Sequence, residues 1–347
     1  IANNGTSFNI GKDSFGFVNV GSGNKIISSI SNIGLNDNNV YIYSNDTKGT
    51  VINNTSITSG AGAKTNYGIY SAGTVTNNAN IDLSSGVGSV AIYSIKGGTA
   101  TNNTTITVGE SDVVNKLYSI GMGAGYENSD TGNVVNKGTI NITADKGTGM
   151  FVETDGVRPA TITNDSNGTI SIGDSTSESV LRTGMFTKNQ NVKIINKGKI
   201  DAGKNSYAIY GKDVELTSTS ELNVGDNGVG IFSTSTTPAT PNIDIQAGAK
   251  INLGKDEAVG VFLGTDAATG VQANGVRIND AGSIMNIGDN SYGYVLKGVG
   301  TTFTNSNAGS VTLGTKSVYL YSDDTTGNIT NNVALTSNGS AAGTPIA

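Results

Sequence analysis

The chain contains no cysteine, no histidine and no tryptophan, and its 347 residues include only 4 prolines and 3 arginines. Without cysteine there are no disulfides, no thiolate metal sites and no cysteine nucleophile. Without histidine there is no Ser-His-Asp triad and no imidazole-ligated metal, so neither a cofactor nor a metal is expected. Leu, Glu, Lys, Arg and Gln, the residues of long amphipathic helices, are scarce. Charged residues make up 14% of the chain, against about 25% in ordinary domains. No apolar run approaches the roughly 20 residues of a membrane-spanning helix. The net charge of −6 argues against a nucleic-acid partner, whose phosphates would be repelled.

What is present is glycine (49) and asparagine (43), together with Ser, Thr, Val, Ile and Tyr. Gly, Asn and Ser favour turns, while Val, Ile, Thr and Tyr favour strands. The class is therefore all-β with many tight turns. So polar a chain could instead be disordered, but its apolar residues are too regularly placed.

A small residue, an aliphatic residue and usually an aromatic recur, as in Gly68-Ile69-Tyr70, Ala91-Ile92-Tyr93, Gly149-Met150-Phe151, Ala208-Ile209-Tyr210 and Gly260-Val261-Phe262. Twelve copies, with middle residues 17, 42, 69, 92, 120, 150, 185, 209, 231, 261, 294 and 320, are spaced by 22 to 35 residues. Aliphatic residues leading into an asparagine follow, ending in Asn53, Asn77, Asn102, Asn136, Asn164, Asn196, Asn279, Asn305 and Asn331. A third segment of Ile-x-aliphatic type comes next, as in Ile106/Val108, Ile140/Ile142 and Ile251/Leu253. Three short strands and three turns per repeat predict a three-faced parallel β-helix, right-handed by the twist rule for parallel connections. About 12 coils spaced by one strand separation give a rod of roughly 55–60 Å. Residues 1–347 form one continuous segment, read as a fragment of a longer protein.

Counting from the middle aliphatic as position zero, simple alternation places −2 and zero inside. Position +1 is aromatic in nine copies, including Tyr43, Tyr70, Tyr93 and Tyr210. If the strand stays straight, these rings make an outer stripe; if the chain turns there, they swing into the core. Stacked Asn amides would bond up and down the rod, as in other stacked-strand assemblies.

Several residues are candidates for chemistry. Aligned exposed rings at Tyr43, Tyr70, Tyr93 and Tyr210 suit recognition of sugar or protein; their structural alternative is a stacked stabilising ladder. Insertions near 121–133, 153–160, 173–182, 233–242 and 263–276 are where a solenoid builds binding loops. Within the first, Tyr126, Glu127 and Asp130 combine an aromatic with acids. Arg182 is one of the three arginines and is expected to be a solvated loop charge. Asp165, Asp174 and the pair Asp323-Asp324 are scattered carboxylates that a β-helical hydrolase could recruit. Gly121-Met122-Gly123-Ala124-Gly125 lacks the Lys-Ser/Thr of a phosphate loop.

With these coils in view, above all Asn136-Lys137-Gly138-Thr139-Ile140-Asn141-Ile142 and the Gly-Ile-Tyr copies, the chain resembles the passenger domains of type V autotransporters. It is most similar to the large fusobacterial outer-membrane adhesins. The resemblance implies a monomeric, non-enzymatic passenger on the bacterial cell surface. Such a passenger would contact a host-cell or bacterial surface protein or glycan, and would meet the membrane only through a barrel outside this chain. It transfers no site residue. The competing readings are a β-helical polysaccharide-degrading enzyme or tailspike-like depolymerase, and a structural spacer.

Overall fold

The computed structural model describes residues 2–3, 8–125, 130–154, 156–177, 181–239, 241–267 and 269–338. Short strands follow one another around three corners and stack coil on coil into three all-parallel sheets of 12, 13 and 12 strands. Among the described residues there is no helix. One coil runs Val40–Ser44 in the first sheet, Thr50–Asn53 in the second and Ser56–Ser59 in the third, and the next begins at Tyr67–Ser71. The expected β-helix of about a dozen coils is thus observed.

Second- and third-sheet strands alternate cleanly, as in Thr139–Ile142, where Ile140 and Ile142 are buried. First-sheet strands do not. In Tyr67–Ser71, Gly68 and Ile69 both point inward, Tyr67 and Tyr70 outward and Ser71 inward. The paired ladder passes from Val40↔Tyr67 to Ile42↔Ile69 and skips position −1. This corrects the expected phase: zero is core, but −2 lies on the outer surface, because two consecutive inward residues consume the alternation. Phe15 at −2 is 57% exposed. The inward −1 residue must be small: a Cβ on Gly68 would sit 2.6 Å from the Ala91 carbonyl oxygen.

The fifth coil needs a second correction. Its register is Ile92↔Met122 and Tyr93↔Gly123, so its centre is Met122, not Ile120, and its +1 residue is Gly123. Residues 121–124 belong to the strand Ile120–Ala124, and the insertion starts only at 125.

The corner before the first sheet has a backbone signature. Asp13, Asn38, Thr65, Gly88, Lys146, Asn205, Asn227, Glu257, Asn290 and Lys316, each four residues before zero, have φ between 49° and 65°. Beside it runs a column of alternating charge. Asp174, Asp226 and Asp289 accept backbone N–H bonds from Lys204 (2.8 Å), Lys255 (2.9 Å) and Thr315 (2.8 Å). The lysine heads reach the next aspartates, Lys204 to Asp226 at 3.1 Å and Lys255 to Asp289 at 3.7 Å.

The asparagine stack is continuous over six coils. Asn53, Asn77, Asn102, Asn136 and Asn164 each donate from Nδ2 to Oδ1 of the next, ending on Asn196, at 2.7 to 3.0 Å. All six are fully buried, so each amide meets the requirement that buried polar groups be bonded. Leu216 and Ile245 then occupy the same place and interrupt it. In the next coil the position belongs to Asp280, not Asn279, whose side chain points outward to Asp244 at 2.8 Å. Asp280 accepts from the Tyr294 hydroxyl (2.9 Å) and from Ser283.

Candidate functional site

The +1 rings point outward, away from the core. Tyr43, Tyr70 and Tyr93 form a parallel stack with centroids 5.8 and 5.7 Å apart. Phe151 stacks on Phe186 at 5.6 Å, and Tyr210 and Phe232 continue edge-on. The rings at −2 join them: Tyr67 meets Tyr70 edge-on at 5.5 Å. Tyr67, Tyr70, Val90, Tyr93, Ile120 and Phe151 thereby form a second apolar cluster on the outside of the rod. Lateral stacking hides much of the stripe, and most of its rings are half-buried.

Two interior coils lack a ring at +1, the fifth (Gly123) and the eleventh (Val295), and a hollow opens at each. At Gly123 the Tyr93 ring leans across the vacant place, where a Cβ would lie 2.5 Å from a Tyr93 ring carbon. Its hydroxyl donates to the Gly125 carbonyl at 2.7 Å, and burial pushes that phenol well above its ordinary pKa. Beyond Tyr93 lies a notch of about 530 Å³ bounded by Tyr67, Tyr70, Tyr118, Phe151, Lys116 and Glu153. One wall is an insertion: Asp112 and Leu117 exchange backbone bonds of 2.8 and 2.9 Å, which carries Lys116 and Tyr118 to the notch. Tyr118 is 53% exposed. The second notch, of about 330 Å³, lies between Phe262 and Tyr321, with Tyr292, Glu257 and Lys297 around it. Both hollows thus combine aromatic faces with one carboxylate and one ammonium.

The residues expected from sequence are distributed as follows. Tyr43, Tyr70 and Tyr93 come together in one stack, of which Tyr70 and Tyr93 reach the first notch. Tyr210 lies several coils away and is covered: its hydroxyl donates to Asp266 at 3.2 Å, and Lys188 holds the same carboxylate at 3.3 Å. Burial, with Asp266 adding to it, pushes the Tyr210 phenol up to about 12. Tyr126 and Glu127 lie outside the described residues. Asp130 is a turn anchor, accepting from the backbone N–H of Lys96 and, at 2.7 Å, from that of Thr131.

Arg182 is not a solvated loop charge. It is 8% exposed. Its guanidinium donates to Asp145 from Nε at 3.2 Å and to the Ile142 carbonyl at 3.3 Å, clamping the end of the 173–181 connection. Burial works to raise the Asp145 carboxyl, but the bonds from Thr176 and Arg182 outweigh it and hold the pKa below the usual range.

The candidate carboxylates occupy three different corners of the rod. Asp165 caps Ser166 N–H at 2.7 Å and Asp174 caps Lys204. Asp324 accepts from Thr301 and Thr326 N–H at 2.7 and 2.8 Å. Burial opposes these bonds, but they hold Asp324 well below the ordinary carboxylate pKa. Among the described residues no three His, Cys, Asp or Glu side chains gather as a metal site. A groove on the third sheet lined by Asp201, Asn223 and Asn252 has its amides committed to one another, Asn252 to Asn223 at 2.7 Å and Asn223 to Asp201 at 2.7 Å.

Lys116, Tyr118, Glu153 and the whole second notch were not singled out from sequence. Their signal was present as breaks in the +1 aromatic series. Comparison of the chain with protein-family models, curated proteins and solved structures finds no match.

Proposed function

We infer that the chain is a segment of a bacterial surface adhesin: a rigid β-helical rod that displays recognition features along one face. The observation that supports this reading most is the outer face of the first sheet, where a nearly continuous aromatic stripe is opened at two places into concave, mixed-charge hollows. The connections from the first sheet to the second are long after Val152, Phe186, Ser233 and Leu263. A stalk without ligands gains nothing in stability from interrupting its own ring stack. The resemblance to autotransporter passengers supports extracellular display, with the membrane anchor elsewhere.

The purified chain, fluorescently labelled, is expected to bind saturably to epithelial or bacterial cells and to be displaced by unlabelled chain. A chain that binds no cell surface, while a longer protein containing it does, would leave it a spacer. Release of reducing sugar ends from a polysaccharide on incubation would establish the depolymerase reading instead.

A further inference from the structure

We propose that the notches at Gly123 and Val295 are paired subsites for neutral sugar rings of one glycan chain running along the rod. This rests on the display reading above and names its ligand class.

Four observations carry it. The hollows are about 530 and 330 Å³, within the few hundred Å³ of small-ligand sites. Each offers accessible aromatic surface, Tyr118 at 53% and Tyr321 at 44% exposure, against which the apolar face of a pyranose packs, as other flat amphipathic groups do on aromatic rings. Each carries one exposed carboxylate and one exposed ammonium, Glu153 with Lys116 and Glu257 with Lys297. Such a rim has no net charge to select an anion or a cation, yet it supplies acceptors and donors for hydroxyl groups. Finally, the hollows share one sheet and are six coils apart, about 29 Å at one strand spacing per coil. A stiff chain with repeating rings can occupy both, and the second contact becomes intramolecular.

The first gap is also maintained by the surrounding structure. Gly88, at φ +60°, would place a Cβ 2.3 Å from that of Leu117, so its lack of a side chain lets the insertion wall close on the first notch. At Val295 nothing forces the absence of a ring: its cross-strand neighbours are Phe262 and Tyr321.

The test uses the full chain on immobilised glucose-, galactose- and mannose-based oligosaccharides of increasing length, with phosphocholine and sulfated oligosaccharides as charged probes. At least one neutral series is expected to bind, with affinity rising about a hundredfold once the chain spans both notches. Tyr118→Ala and Tyr321→Ala should each lower affinity about tenfold with an unchanged melting temperature. Val295→Phe restores the ring stack while filling the second notch. It should melt no lower than the parent and lose the length-dependent gain. Neutral binding that survives all three substitutions overturns the proposal, as does binding only to phosphocholine or sulfated probes, or no binding at all. Cell binding without glycan binding sinks this inference and leaves the display reading intact. Glycan binding at the notches without cell binding does the reverse.

Discussion

At the scale of single residues, the left-handed corner before each first-sheet strand shows where conformational strain sits. Asn and Asp tolerate this region and Gly adopts it freely. Thr65, β-branched, holds φ 56° between Asn38 in one neighbouring coil and Gly88 in the other. Thr65→Asn is therefore expected to stabilise the chain by about 1 kcal/mol, read as a rise in the urea midpoint; no change would mean the corner is relaxed by its neighbours. Buried phenols give the second residue-level prediction. Tyr41, Tyr93, Tyr210, Tyr294 and Tyr319 all lie above the ordinary value of 10.0, with burial the main cause and Tyr210 at about 12. A raised folded pKa means the fold prefers the protonated phenol. That stability is fully present below pH 10 and is lost as pH climbs through 10 to 12 and beyond. Ultraviolet titration should show these five phenols ionising late, together with loss of β-sheet circular dichroism. Complete ionisation with the sheet signal intact would contradict this burial.

At the scale of the element, the amide stack links coils in a way that depends on position. Asn102 is internal: it accepts from Asn77 at 2.9 Å and donates to Asn136 at 3.0 Å. Asn102→Leu orphans the buried amide groups of Asn77 and Asn136, removes both local bonds to Thr104, and is expected to cost about 2–4 kcal/mol. Asn196 is the last member and already faces Leu216. Asn196→Leu removes one bond of Asn164, whose Nδ2 keeps the Gly168 and Lys199 carbonyls at 3.2 Å each, and the local bond to the Gly198 carbonyl at 3.1 Å, and should cost about 1–2 kcal/mol. Equal costs in urea unfolding would show that the stack contributes through shape alone.

The same elements show how far sequence carries. The three-strand coil, the Asn stack and the ring stripe were legible because each repeats a residue type at a fixed place, and repetition averages out local noise. The inward pair at −1 and zero was not legible. A small residue beside an aliphatic reads as ordinary alternation, and only the neighbouring coil's carbonyl, 2.6 Å from a Cβ on Gly68, shows that −1 faces in. The fifth coil was misphased because Gly123 replaces the aromatic that marks the others, so the break that makes the first notch also concealed it. Asp280 was missed in favour of Asn279 because the carboxylate takes over an amide's place through contacts to Tyr294 and Ser283, which lie 14 and 3 residues away. Arg182 found its partner Asp145 across 37 residues, a separation over which charge patterning says nothing.

At the scale of the whole molecule, three sheets share one interior, and each strand pairs only with its equivalents one coil away. Stability is then close to a sum of coil terms and coil–coil terms. Destabilising substitutions at opposite ends should add, whereas those in adjacent coils should couple. The outer aromatic cluster and the alternating Asp/Lys column are two such coil–coil terms on the surface, the first insensitive to salt and the second screened by it.

The break in the amide stack at Leu216 and Ile245 has a mechanical meaning. When a tether is pulled along the rod axis, load passes from coil to coil through parallel hydrogen bonds and, over six coils, also through the buried amide chain. That auxiliary cable stops at Asn196. The coils between Asn196 and Asn305, which donates again to Asn331 at 2.6 Å, lack that cable and are the place where a stretched rod would first yield, and everything attached beyond that point would be paid out on a lengthening leash while the coils carrying the first notch stay wound.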